Sequence, residues 1–286
     1  MNMVDTAATI DTRSEPFRWW FAPSWLGLDA PCVVSTWTWA VSRALEVSLP
    51  VRSMGALFLV VWFIYLSDRL VDVAGCRDWS QATGRLRFGR DLRSLFVVCL
   101  GLCCALILVE LRNGLPEEVI RRAAVVALGV GLHFLAFVKP VFLPAKLPGK
   151  EIGVGVFFAL GAYGCLGATT PSVPLLASIV AVVAFNCFVI AARDADSDRV
   201  NDPGGASCWW RNIDRDLLWL GIAFTAVSAV SSALAKETAF YLSVGAAFAL
   251  LTVLHRHAHR LSGDAVRALA DFALLTPIPI MGFLKW

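Results

Sequence analysis

Apolar residues fall in nine long runs along this chain, each about 17–25 residues and so long enough to cross the hydrocarbon core of a bilayer as a helix. They centre on residues 30–47, 50–67, 92–111, 118–138, 151–169, 173–193, 215–234, 238–255 and 265–284. Pro50, Pro116, Pro148, Pro171, Pro174 and Pro203 stand at or just outside their ends, where a residue without a backbone N–H punctuates a helix. The pattern predicts an all-α, polytopic membrane bundle of about nine transmembrane helices: a polar segment over residues 1–29, then a single transmembrane domain over 30–286. The gaps between runs leave no room for a separate soluble domain.

Composition agrees with that pattern. Of 286 residues, 58% are hydrophobic and 16% charged, and the mean hydropathy of +0.68 is too high for a soluble domain of this size. A net charge of +3 is too small to indicate a nucleic-acid partner. Where the positive charge falls is more telling. The N-terminus and the loops after the second, fourth, sixth and eighth runs gather most of the 25 Lys and Arg residues, so that side is expected to be cytoplasmic. The expected setting is a bacterial inner membrane. The first 29 residues carry Asp5, Asp11, Glu15 and Asp29 and no apolar stretch of the secretory kind, so no cleavable signal peptide is expected. The eight cysteines include no CxxC pair, and most lie inside apolar runs as small hydrophobes. Many of the tryptophans, Trp19, Trp20, Trp25, Trp209, Trp210 and Trp286 among them, cluster near run boundaries, as an interfacial belt does.

Chemistry concentrates at two acidic motifs, Asp68-x-x-x-Asp72 after the second run and Asp194-x-x-x-Asp198 after the sixth. Positions i and i+4 share a helix face, so each pair of carboxylates projects together. Such pairs repel unless a hard cation lies between them and phosphate oxygens, and Mg²⁺ takes one or two carboxylates plus water and phosphate. Four helices separate the two equivalent positions, a weak internal repeat. Asp194, Asp196 and Asp198 also open like a calcium loop, but Arg199 stands at the turn glycine and Gly205 at the closing glutamate, which excludes it. Lys139, Lys146 and Lys150, in a proline-stiffened loop on the motif side, and Arg69 and Arg193, each beside a motif Asp, are candidates to neutralise a diphosphate.

Polar residues within the apolar runs are few. Arg43 with Glu46, and Arg267 with Asp271, are spaced to pair within one helix. Tyr65 and Asn186, each preceding a motif on its own helix, are candidates for the wall of a substrate cavity or for interhelical hydrogen bonds. Phe157, Phe158, Tyr163, Phe185 and Phe188 are further wall candidates, His133 reads as a packing residue, and His255 with His259 makes only a weak zinc pair. Acid pairs at helix ends, rather than single acids at mid-depth, argue against a secondary transporter.

On these motifs the chain resembles the UbiA superfamily of intramembrane prenyltransferases, from about residue 30 onward. That family's first motif is of the Asn-Asp-x-x-Asp-x-x-x-Asp type. Here Ile64-Tyr65-Leu-Ser-Asp68-Arg69-Leu-Val-Asp72 keeps the last two acids and the Arg and lacks the leading Asn-Asp. The family's second Asp-x-x-x-Asp matches Asp194 and Asp198, and its basic loop before a glycine-containing helix resembles Lys139 to Lys150 followed by Gly153, Gly155 and Gly161. The resemblance implies that the four aspartates hold Mg²⁺ and an isoprenyl diphosphate, with the lysines near the phosphates. It further implies transfer of the prenyl group to a lipophilic, aromatic or quinone-like acceptor within the membrane. The alternative is a catalytically degenerate bundle of the same kind that binds an isoprenoid lipid or serves as an accessory subunit.

Overall fold

A computed structural model describes residues 19–80, 82–137, 149–167, 170, 172–201 and 205–284. Among the described residues there are helices and turns and no strand. The principal helices are α1 (Asp29–Ala44), α2 (Val51–Gly75), α3 (Gly84–Asp91), α4 (Arg93–Arg112), α5 (Glu117–Phe137) and α6 (Gly149–Gly164). They continue with α7 (Val173–Arg193), α8 (Ala195–Asn201), α9 (Ile213–Leu234), α10 (Thr238–His257), α11 (Gly263–Ala273) and α12 (Pro277–Phe283).

Among the described residues seven segments are long and apolar enough to cross a bilayer: α2, α4, Glu117–Ala136 of α5, α7, α9, α10 with the turn to Arg260, and α11 with α12. The chain is therefore an integral membrane helix bundle. Sequence pattern predicts two more spans; α1 has 16 residues, and α6 has 16 among the described residues. At 1.5 Å per residue 16 residues cover about 24 Å of the ~30 Å hydrocarbon core, so these two are not among the seven.

Burial sorts the bundle where hydropathy cannot. The spans of α7 and α10 are 50% and 61% buried, while those of α4 and α5 are 11% and 6% buried. Lipid tails are as apolar as leucine, so helix pairing in a bilayer rests on close packing and not on hydrophobicity. α7 and α10 are the central pair, and Trp37 of α1, Tyr163 of α6 and Phe240, Phe248 and Leu251 of α10 fill the core around them. Trp37 meets Phe240 edge-on at 5.7 Å, and Phe185 meets Phe248 in the same way at 5.4 Å. α6 and α7 come together at Gly155, where a Cβ would stand 2.6 Å from the Val180 carbonyl oxygen.

Helix ends depart from the apolar runs in ways that matter for the site. α1 stops at Ala44 because Glu46 takes a left-handed φ of 54°. That puts Glu46 outside the helix, and among the described residues no ion pair joins it to Arg43. α2 does not stop with its apolar run at 67. It continues for two more turns to Gly75, after which Cys76 is extended, so Asp68 and Asp72 lie within a continuous helix. The last run breaks after Ala273, and Pro277, which has no N–H to lose, opens α12. Part of the expected polar N-terminal segment is packed as well: Phe21 and Trp25 are buried, against Phe88 of α3 and Ala265 of α11.

Gly155→Val should lower the stability of the detergent-purified protein by about 1–3 kcal/mol, the usual cost of overpacking against an immovable neighbour. Gly131→Ala, where nothing lies within 4 Å of the added Cβ, should leave it unchanged. Size-exclusion profiles after stepwise heating measure both, and equal losses would contradict the packing described for α6 and α7.

Candidate functional site

The last two turns of α2 carry Asp68 and Asp72 on one face. Helical register also continues from α7 into α8, since the Asp194 N–H donates to the Ile190 carbonyl at 3.0 Å and the Asp198 N–H to the Asp194 carbonyl at 2.9 Å. Each motif is thus one helical turn of two carboxylates, as the spacing predicts.

Two arginines and a third acid connect the motifs. Arg85, at the start of α3, places Nη2 3.6 Å from Asp72 Oδ2, and its backbone N–H donates to Asp264 Oδ1 at 3.3 Å. A Cβ on Gly84 would fall 2.2 Å from the other Asp264 oxygen, so a larger residue there would displace that carboxylate. One turn beyond Asp264 on α11, Arg267 forms an ion pair with Asp194, their side chains 15% and 4% exposed. Both motifs therefore lie at the same end of the bundle, joined by a belt that runs Asp72, Arg85, Asp264, Arg267, Asp194. Asp68 is within electrostatic reach of Arg85, Lys150 and Arg69, and Asp198 and Asp264 are within reach of Arg267. The Ser207 hydroxyl is 3.4 Å from Asp198 Oδ2.

A second polar group lies further inside. Asn186 Nδ2 donates to Asp271 Oδ1 at 3.1 Å, Asp271 also hydrogen-bonds Asp29, and Tyr65 and Cys187 are within electrostatic reach of Asp271. Tyr65, Asp68, Cys187, Arg267 and Asp271 lie deep among protein atoms yet each keeps accessible surface.

The other sequence candidates have varied placements. Lys139 and Lys146 lie outside the described residues. Lys150 sits in the first turn of α6, with Glu151 beside it accepting the Ala206 N–H at 2.8 Å. Arg193 clamps the Leu261 carbonyl through Nε at 3.2 Å and Nη2 at 2.8 Å, which fixes the turn before α11. Arg69 is buried and reaches the Ser24 carbonyl at 3.3 Å through Nη2, while its Nη1 has no partner. Arg267 and Asp271 do not pair with each other: they lie one turn apart, and each is drawn to a different rung of α7. His133 packs edge-on against Phe157 at 5.5 Å, and His255 Nε2 lies 3.0 Å from the Asp214 carbonyl, away from both motifs. Phe185 and Phe188 line an apolar groove of about 480 Å³ between α6, α7 and α9, together with Ile152, Ala184 and Phe224. Tyr163 belongs to the core.

Arg85, Asp264, Asp29 and Glu151 are not singled out by the sequence. Asp264, Arg267 and Asp271 do carry a signal, because spacings of three and four put them on one face of an otherwise apolar helix. Among the described residues no three His, Cys, Asp or Glu side chains gather at ligand spacing. The donors suit Mg²⁺ in another way: they are hard carboxylate oxygens presented in twos by two motifs at the same end of the bundle, the set that phosphate oxygens and water complete. No family model, curated protein or solved structure matches this chain.

Removing one partner of a buried ion pair leaves the other charge uncompensated. Arg267→Ala should therefore destabilise the protein by about 3–5 kcal/mol, and adding Asp194→Ala should restore much of that loss. Thermal unfolding of the single and double variants in one detergent reads the coupling, and strictly additive losses would exclude it.

Proposed function

We propose that this chain is a divergent UbiA-like intramembrane prenyltransferase, a nine-helix bundle of a bacterial inner membrane with its acidic motifs on the cytoplasmic side. It transfers the prenyl group of an isoprenyl diphosphate to a lipophilic acceptor, aromatic or quinone-like. The observation that supports this reading is the belt Asp72, Arg85, Asp264, Arg267, Asp194, which brings the two acidic motifs to the same end of a bundle that is otherwise apolar. Ionisable residues gathered within a membrane bundle face its interior and mark functional sites.

Asp68 and Asp72 on one side and Asp194 and Asp198 on the other would hold Mg²⁺, which when bound offsets the charge growing on the departing diphosphate. Arg85, Lys150 and Arg267 add fixed positive charge at the same end, and the resemblance assigns Lys139 and Lys146 the same role. The apolar interior keeps water from the prenyl cation.

A second reading is favoured by two observations. Asp72 and Asp194 already have arginine partners, and Ile64 and Tyr65 stand where the family's Asn-Asp would be. It is a degenerate bundle that binds an isoprenoid lipid without ionising it.

Purified protein in nanodiscs with Mg²⁺ should release diphosphate from geranylgeranyl or farnesyl diphosphate. Chelation should abolish release, and Asp68→Ala or Asp194→Ala should reduce it about 100-fold or more. Saturable binding of both diphosphates without any release would favour the second reading.

A further inference from the structure

We propose that the inner polar group is the acceptor site, with the Asp29–Asp271 pair, braced by Asn186 and flanked by Tyr65, holding the hydroxyl of the acceptor and Asp271 taking its proton. This rests on the transfer reading above and extends it to a catalytic group separate from the acidic motifs.

Position is the first support. α7 and α11 run antiparallel with two polar rungs between them: Arg267 to Asp194 at the outer end and Asp271 to Asn186 further in. Asp271 lies four residues beyond Arg267, roughly 6 Å deeper along the helix. A diphosphate held at the outer rung has its reacting carbon just inside it, between the rim and the apolar interior. That is the level of Asp271, Asp29 and Tyr65, which three different helices bring together.

Incomplete satisfaction is the second support. A purely structural polar junction in a membrane bundle closes its hydrogen bonds internally. Asn186 is 5% exposed, and its Oδ1 has no donor although its Nδ2 is engaged by Asp271. Asp271 keeps accessible surface. The junction is therefore short of a donor and open on one side, as a seat for a hydroxyl-bearing molecule is.

The step balances without a further reactant. The bond between the prenyl C1 and its diphosphate oxygen breaks, with its electron pair going to diphosphate. The acceptor's O–H proton passes to Asp271, and the electrons so released form the new bond to C1.

The test uses the full chain in nanodiscs with tritiated geranylgeranyl diphosphate, Mg²⁺ and tert-butylhydroquinone as the hydroxylated probe. It follows diphosphate release and the division of label between geranylgeraniol and prenylated probe. The parent should yield both release and prenylated probe. Asp271→Asn should keep release within about threefold while prenylated probe falls about 100-fold, the ordinary share of a general base, and the label moves to geranylgeraniol. Asp29→Asn, which leaves the Asn186–Asp271 bond in place, should shift the division in the same direction and serves if Asp271→Asn does not fold. Parent-level prenylation in the folded variants would overturn the inference. So would a parent that makes only geranylgeraniol, or an equal loss of release and transfer in Asp271→Asn at unchanged melting temperature, which would assign Asp271 to the diphosphate end. Absence of release from the parent would instead remove the transfer reading itself, and this inference with it.

Discussion

Arg267 and Asp194 form an ion pair that is almost wholly enclosed, and in a bundle surrounded by lipid neither charge has another place to go. Breaking such a pair leaves an uncompensated charge in a medium of low polarity, so the register of α11 against α7 is held firmly once the pair forms. Other contacts at this end follow from that register. Arg193 reaches the Leu261 carbonyl, the Ser262 hydroxyl caps α11 by accepting the Ala265 N–H at 3.2 Å, and Asp264 comes to lie under the start of α3. Four residues on, the same register sets Asp271 against Asn186. One electrostatic constraint thereby positions both the belt that joins the motifs and the inner polar group.

This constraint counts for more in a membrane than it would in water. Leucine-rich faces of α4 and α5 are interchangeable with lipid, and their low burial reflects that. Specific pairing must come from features that lipid cannot imitate: backbone approach at Gly155, aromatic edges such as Phe185 on Phe248, and a few buried polar rungs. The polar rungs gather at one end, so the bundle is held together most specifically where the candidate chemistry lies. Stability and function draw on the same residues there.

Charge is nearly balanced at that end without any ligand. Asp72 has Arg85 and Asp194 has Arg267, while Asp68 and Asp198 have cations within reach but less direct contacts. This explains how acids separated by more than a hundred residues can converge without a metal to hold them, and it gives an incoming diphosphate a site with both signs of charge already placed. The apolar groove between α6, α7 and α9 lies apart from this end in chemistry, since aromatic and aliphatic side chains line it.

Much of this was legible in the chain. The membrane character, the existence of most helices, and the pairing of acids one turn apart follow from hydropathy and from the 3.6-residue period, which are local properties of the residues concerned. Tertiary structure decided what depends on distant partners. α2 carries on past its apolar run to Gly75, α1 ends at Ala44, and the last run breaks before Pro277. Arg267 lies one turn from Asp271, and the sequence pattern favours that local pair; α7 offered Arg267 a carboxylate and Asp271 an amide, and long-range contacts won. Arg85 and Asp29 look like ordinary loop and helix-start residues until the fold brings Asp72 and Asp271 to them. Periodicity reports the face on which a side chain stands, and only packing reports what faces it.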